Sequence, residues 1–585
     1  MGNSVFGNFK IDPRYNPAVL DTANWDREAS WKIITSIDNS YWESVKKTVT
    51  DSKPLPIIEK LTLFRESLSR DGNTHILLSK LQDSQEVFIG IGEGNGISVL
   101  GEPIGRRRIN DNFFISAYPT DASIIDNFCR KINPQRGPKA LGVIPRLGVG
   151  VRMSTSVWPA IWSAMEKKTF SSNAIQNSIR ELNLLEDLRA GKSQKKNYLF
   201  SFGEIEEGHT GSTFEGLWVY GVLDSLKHNV KQDFGADADH IQVKKGGEGI
   251  DRAVQVINAA RYYSFYTLDV SDILNYNALP MQGYGEEYFN VIKNVAEQES
   301  TITFHREKSK IVSSDIFMGR ELIGRLVGKY WEALDALEEL YHYIIKLKNG
   351  VAFDLEMSID ENPPDIKTCE CLTTEYELVF IINEVQRRGI NLTHIAPNFG
   401  VEKGVDYRCP GGLERLKMRV MKLHQIASDS NVMLDCHSGD DLSSATRKVF
   451  GNAARGNIHF KISPALQNLF AETLYDYDPA LFSFWWDATM EYVQQKAEKG
   501  SEFAAEMIKK FKSMENPVPS PHQDLFHYYS FAPVGLRDSA NRYMYREKFY
   551  SLPVNFYDCY RERVEQYLSE VAIDIFRNDT WSKGK

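Results

Sequence analysis

The stretch Val351-Ala352-Phe353-Asp354-Leu355-Glu356-Met357 alternates apolar side chains with small or acidic ones. Successive side chains of an extended strand point to opposite faces. Val351, Phe353, Leu355 and Met357 therefore share one face, and Ala352, Asp354 and Glu356 the other. Two later stretches repeat the pattern. In residues 432–437, Val432, Leu434 and Cys436 oppose a face that ends in Asp435 and His437. In residues 458–463, Ile458, Phe460 and Ile462 oppose His459, Lys461 and Ser463. A strand of an open parallel sheet is usually apolar on both faces. One apolar and one charged face instead fit a closed barrel with helices outside and a polar site inside. The charged residues fall toward the C-terminal ends of the strands, where barrel active sites are built. Antiparallel strands with one wet face are the alternative; the helical segments between these strands weigh against it.

Working outward, β-rich runs stand at 86–91, 140–145, 198–203, 238–243, 263–269, 351–357, 391–397, 431–437 and 457–463, with 527–534 as a further candidate. That is one or two more than eight places require. Segments long enough for helices separate them, which argues for βα units and a parallel sheet. Leu326, Tyr330, Leu334, Leu337, Tyr341 and Ile344 form a stripe at helical spacing, and Asn349-Gly350 supplies a stop. Thr374 and Glu377 form a capping-box pattern before a helix that Gly389 ends. Residues 479–512 read as amphipathic helix and 514–522 as a loop. The fold expected is α/β, a TIM-like (β/α)8 barrel. Residues 1–80 read as a mostly helical N-terminal extension, and 81–585 as the barrel with insertions and a helical C-terminal region.

The net charge of −9 gives no basic stripe for nucleic acid. The one short basic cluster, Arg106-Arg107-Arg108, reads as a solvated loop. The six cysteines contain no CxxC pair and fit a reducing compartment; Cys369-Glu370-Cys371 reads as incidental. No signal peptide or long apolar run is present, so the expected location is the cytoplasm. The glycines from Gly90 to Gly96 have the wrong spacing for a dinucleotide loop and read as a tight turn at the barrel mouth. Glu204, Glu206, Glu207 and His209 read as a solvated acidic loop, or more sharply as a substrate lid. The partner expected is a small sugar or sugar acid, with no nucleic acid and no membrane, and a homo-oligomer is left open.

His240, Glu356, His437 and His459 each sit on or at the end of a different proposed strand, with Asp239, Asp269 and Asp354 close by. Closing a barrel would gather these ends. Imidazole and carboxylate are the usual ligands of Zn²⁺, Mn²⁺, Co²⁺ or Ni²⁺. No local metal signature such as HExxH is present, so the ligands must come from distant segments.

An ordered series of stretches resembles the tagaturonate epimerase family. It comprises Ser178-Ile179-Arg180-Glu181-Leu182, Phe234 to His240, Tyr266 to Asp272, and Phe353-Asp354-Leu355-Glu356 with Ser358, Asp360 and Glu361. Ala396-Pro397-Asn398-Phe399, residues 402–407, His437-Ser438-Gly439 and His459-Phe460-Lys461 follow in the same order. The resemblance implies a metal-dependent barrel enzyme that interconverts D-tagaturonate and D-fructuronate at C4. It implies His240, Glu356, His437 and His459 as metal ligands and Asp269 and Lys461 as acid/base groups. Asp239, Asp354, Ser438, Asp440 and Arg455 become candidate substrate contacts. The chain departs from the family's pattern at Leu442, where a basic residue is expected. Recognition of a sugar carboxylate then falls to Arg447, Lys448 or Arg455, or the substrate is a neutral ketose.

C4 of a 2-keto-hexuronate adjoins neither the ketone nor the carboxylate, so simple deprotonation beside a carbonyl does not invert it. No nicotinamide fingerprint supports transient oxidation. Cleavage and re-formation of C3–C4 by retro-aldol and aldol steps is the expected route. A sugar isomerase or aldolase on the same barrel, a glycoside hydrolase, or a carbohydrate-binding protein are the competing readings.

Overall fold

The computed structural model describes residues 25–576, apart from 52, 94–96, 112, 200–202, 279–284, 313–315, 364–365 and 540–541, together with a short hairpin of Ser4–Phe6 and Phe9–Ile11. Eight parallel strands close a barrel. In chain order they are β1 Arg146–Gly150, β2 Ser171–Ser178, β3 Phe234–Gln242, β4 Phe265–Asp269, β5 Asp354–Ser358, β6 His394–Ala396, β7 Met433–Cys436 and β8 His459–Ile462. β8 returns to β1 with Lys461 opposite Gly148. A Cβ on Gly148 would lie 2.7 Å from Lys461 Cγ and 2.9 Å from His459 Nε2, so the missing side chain makes room for those two.

The faces follow the period-two reading. Leu355, Met357, Leu434, Cys436, Phe460 and Ile462 pack into the core between barrel and helices. The helices expected from their stripes are present. Arg320–Lys348 buries Leu326, Tyr330, Leu334, Leu337, Tyr341 and Ile344, and Asn349 ends it in the left-handed region. Glu375–Arg387 opens with the capping box of Thr374 and Glu377. No helix among the described residues is long and apolar enough to cross a membrane.

Several expectations need correction. The N-terminal extension is not mostly helical. After helices Arg27–Thr35 and Asn39–Asp51 the chain enters an antiparallel six-stranded sheet. Its hairpin of Thr74–Leu81 with Glu86–Gly92 crosses residue 80, so the run at 86–91 lies outside the barrel. The missed signal is Asp71-Gly72-Asn73, a hairpin turn with Gly72 at φ 53°. Leu77 and Leu81 pack in the cluster with the two helices, while Ile76 and Leu78 pack in the barrel's cluster, so this strand is apolar on both faces. The three arginines occupy a strand of this sheet, Gly105–Asn110, where Arg107 donates to the carbonyls of Thr35 and Ile37. Gly90 and Gly92 belong to a strand of the same sheet, not to the barrel mouth; 94–96 lie outside the described residues. The run at 140–145 stops just short of β1. The run at 198–203 belongs to an antiparallel ribbon of Lys196–Leu199 with Gly203–Glu206; 200–202 lie outside the described residues. The run at 527–534 is helical, because Leu525, Phe526 and Tyr529 pack at helical spacing. Cys369 and Cys409, on the loops after β5 and β6, form a disulfide, so not all six cysteines are free thiols.

Candidate active site

The barrel interior is largely polar, with Phe265 packed among His394, His459 and Arg146. At the floor, Arg146 Nη1 lies 3.0 Å from Asp354 Oδ2, with both side chains at most 3% exposed. Asp354 also accepts hydrogen bonds from the Leu141 and Gly142 amides. This pair closes the N-terminal end. Asp354, expected as a substrate contact, therefore seals the floor and does not line the cleft.

Above it stands Lys461. Its Nζ donates to Asp239 Oδ1 at 2.9 Å and Thr267 Oγ1 at 2.8 Å. It also lies 3.0 Å from Glu356 Oε2, 3.2 Å from Asp237 Oδ2 and 3.4 Å from Asp435 Oδ2. Burial alone would discharge this lysine, but the surrounding carboxylates hold its pKa well above the ordinary value. Burial pushes Asp237 up to about 7, against the pull of Lys461. Burial likewise holds the pKa of Glu356 well above the ordinary value, whereas the surrounding cations outweigh burial at Asp239 and Asp435 and hold theirs down, so the ammonium is not set against four full negative charges.

At the mouth, β3 breaks its pleat. Its pairing with β4 shifts register between Ala238 and Ile241, and His240 takes φ 43°. Strict alternation would send Asp239 and His240 to opposite faces. The bulge re-aims the imidazole so that both line the cleft. His240 Nδ1 lies 3.6 Å from Asp269 Oδ2 and Nε2 lies 3.9 Å from Asp239 Oδ2. Its ring stands 4.5 Å from that of His437. His437 Nε2 is 2.8 Å from Glu356 Oε1, and Nδ1 is 3.1 Å from Asp360 Oδ2. Deeper, His459 Nδ1 lies 2.7 Å from Asp435 Oδ2, and burial pushes the pKa of His459 down to about 4.

Among the described residues, ligand-type atoms fall into three groups: Asp239 with His240 and His437; His240 with Asp269 and Glu361, which shares His240 with the first; and, separately, Glu356 with Asp435 and His459. The ring atoms Nδ1 of His240, His437 and His459, both oxygens of Asp435, and Asp237 Oδ2 are buried without an aligned hydrogen-bond partner. Buried polar atoms normally find partners. Ligands about 2.1 Å from a shared cation sit roughly 3.0–3.4 Å from one another; at the mouth His240 lies 3.6 and 3.9 Å from Asp269 and Asp239, so a small inward shift would meet that spacing. These residues fit a divalent cation. The four ligands expected from sequence are not one cluster: His240 and His437 share the mouth, Glu356 backs His437 from below, and His459 belongs to the deeper group.

A cleft of about 410 Å³ opens above. Ser438 and Asp440 line it, and Asp440 accepts from the Ser463 and Ala465 amides. Arg455 does not line it. It is exposed and precedes β8 by a few residues, at the N-terminal end of the barrel. Arg152, Arg180, Glu181, His209, Glu361 and Lys403 line the cleft as well. The acidic stretch at 204–209 is not a solvated loop: Glu206 bonds Tyr492 and Lys496, and buried His209 contacts Arg152. Phe503, Tyr528 and Phe531, from the C-terminal helices, form the apolar rim. Sequence reasoning assigned no role to Asp237, Asp360, Glu361, Asp435 or Arg180, although each lies in a stretch already singled out.

The sequence profile of tagaturonate epimerase matches residues 204–570, well over half of the chain. The tagaturonate/fructuronate epimerase of Thermotoga maritima is 24% identical over 297 residues, 50% of this chain and 56% of that protein. The match thus spans little more than half the length of that relative. The glycerol-bound fructuronate-tagaturonate epimerase of Cohnella laeviribosi superposes with TM-score 0.62 at 16% identity, covering 92% of this chain and 99% of that one. Its native form gives the same TM-score at 17% identity, covering 88% and 97%. At such identities the likeness establishes the shared fold.

Proposed function

We infer that this chain, which belongs to the tagaturonate epimerase family, inverts C4 of a ketohexuronate, D-tagaturonate to D-fructuronate, with a divalent cation. The observation that carries this is the pair of buried ring nitrogens at the barrel mouth, Nδ1 of His240 and of His437, that have carboxylates near them but no aligned hydrogen-bond partner. Asp239, His240 and His437 would hold the cation, with Asp269 and Glu361 on the far side of His240. Nitrogen and oxygen ligands suit Zn²⁺, Mn²⁺, Ni²⁺ or Co²⁺. When bound, such an ion supplies a Lewis acid for the charge that develops on the C2 oxygen.

The chain's own groups do the rest. Asp269 Oδ1 accepts from the Ser271 amide at 3.1 Å, which fixes the carboxylate and leaves Oδ2 toward His240. Asp269 takes the C4 hydroxyl proton. The C3–C4 electron pair moves to C3, giving an enediolate and a C4 aldehyde. The aldehyde turns, C3 attacks its other face, and Asp269 returns the proton. No redox partner is needed. Lys461 is already saturated with acceptors, so it acts as a positioning residue: it holds Asp239 and Glu356, and Glu356 in turn orients His437. Metal analysis with an epimerisation assay before and after chelation tests the reading. Turnover unaffected by complete metal removal contradicts it, and release of two three-carbon products points to an aldolase instead.

A further inference from the structure

The cations expected after β7 cannot meet a substrate. Arg447 donates to Asp574 and to the Leu442 carbonyl, Lys448 lies 3.7 Å from Asp574, and Arg455 sits at the other end of the barrel. Other cations line the cleft, and most are fully engaged. Arg152 donates from Nε to Ser463, approaches His209 through Nη1, and lies 3.2 Å from Glu181 through Nη2. Arg408 pairs with Glu402 and is largely exposed. Lys461 is enclosed by carboxylates.

Arg180 differs. It follows β2 directly, its side chain is only 7% exposed, and its ion-pair contact with Glu361 is long, at 3.5 Å. Its Nε is buried without a hydrogen-bond partner. Lys403 claims the same carboxylate at 2.6 Å. Two cations thus share Glu361, and the guanidinium also faces the charges of Glu181, Asp269 and Asp239. A buried donor without an acceptor is costly, and an arginine fork is shaped for two carboxylate oxygens. Glu361 also has an oxygen within 4.8 Å of a ligand atom of His240. Arg180, Glu361 and His240 all line one cleft, which places the guanidinium on the same cavity as the candidate cation ligands.

We propose that Arg180 is the specificity-determining residue that receives the substrate carboxylate, in place of the basic residue missing at Leu442. The proposal rests on the ketohexuronate reading above. It selects a six-carbon keto acid over the neutral ketose, because only the acid supplies the acceptor that Arg180 lacks.

Steady-state kinetics on tagaturonate with metal-loaded wild type, Arg180→Met and Arg180→Lys, alongside metal content and Tm, tests this. The methionine variant should lose on the order of 100-fold in kcat/KM, mainly through KM, with metal content unchanged. The lysine variant keeps the charge without the fork and should recover part of that loss. A KM within threefold of wild type in the methionine variant overturns the proposal. So does a loss confined to kcat and metal content, which would mark a structural role through Glu361. If Arg180→Met does not fold, an unchanged KM in Arg180→Lys overturns it equally. Wild type that turns over tagaturonate while the variants keep its KM defeats this proposal alone. Wild type with no turnover defeats the functional reading and this proposal with it.

Discussion

The imidazoles of His240 and His437 stand 4.5 Å apart at 72°, although His240 lies on the third strand of the barrel and His437 directly follows the seventh. Only barrel closure, together with the bulge in β3, brings them together. Each has a ring nitrogen close to carboxylate oxygen without hydrogen-bond alignment. That arrangement is the basis for treating the mouth as a cation site.

Removing either ring should therefore empty the site. His437→Ala is expected to lose bound metal and at least about 100-fold in kcat/KM. Glu356→Gln only loosens the orientation of His437 and should cost about 10–100-fold in metal affinity. Elemental analysis and metal titration measure both. Full metal occupancy in His437→Ala would move the cation elsewhere.

Asp269→Asn should separate proton transfer from binding. The variant is expected to keep its metal and its KM while kcat falls about 10²–10⁴-fold. A kcat within a few fold of wild type would assign the base to another group.

Asp354 makes the opposite prediction. It seals the floor with Arg146, so Asp354→Ala leaves a buried guanidinium unpaired and should cost about 3–5 kcal/mol of stability. The folded fraction should keep its KM. Urea unfolding and kinetics below the transition read the two effects apart.

Much of this was legible in the sequence because period two sorts side chains by face. It placed Asp435, His437, His459 and Lys461 inside the barrel. It does not give height. Asp354 and Glu356 share a face, but positions two apart lie about 6.5 Å apart along a strand, so one seals the floor while the other reaches the site. Arg455 failed for the same reason, since it precedes β8 instead of following it. His240 breaks parity at a bulge that local pattern does not reveal. β2 was missed because Ser171–Ser178 is mostly polar: its Asn173 and Gln176 face the interior. The role of Arg180 depends on Glu361 and Lys403, contributed by loops far along the chain.

A buried pair away from the site sets an acid limit. His305 Nε2 lies 3.0 Å from Glu384 Oε2. Burial works against the charge of Glu384, but bonds from His305 and Arg387 outweigh it and hold its pKa down at about 2. A folded-state pKa below the unfolded value of about 4.3 means that this stabilisation is complete above that pH. It is lost as pH falls toward 2. Glu384→Gln should be less stable than wild type at pH 7, and the gap should narrow between about pH 4.5 and 2. A gap independent of pH in chemical denaturation would contradict the assignment.

The most direct test of the central claim follows D-tagaturonate by NMR with purified protein, first as loaded with Mn²⁺, Zn²⁺, Ni²⁺ or Co²⁺ and then after chelation. The account predicts near-stoichiometric metal, D-fructuronate as the sole product, loss of turnover on chelation and its return when metal is restored. Undiminished epimerisation by metal-free protein, or no epimerisation with any of these ions, would contradict it.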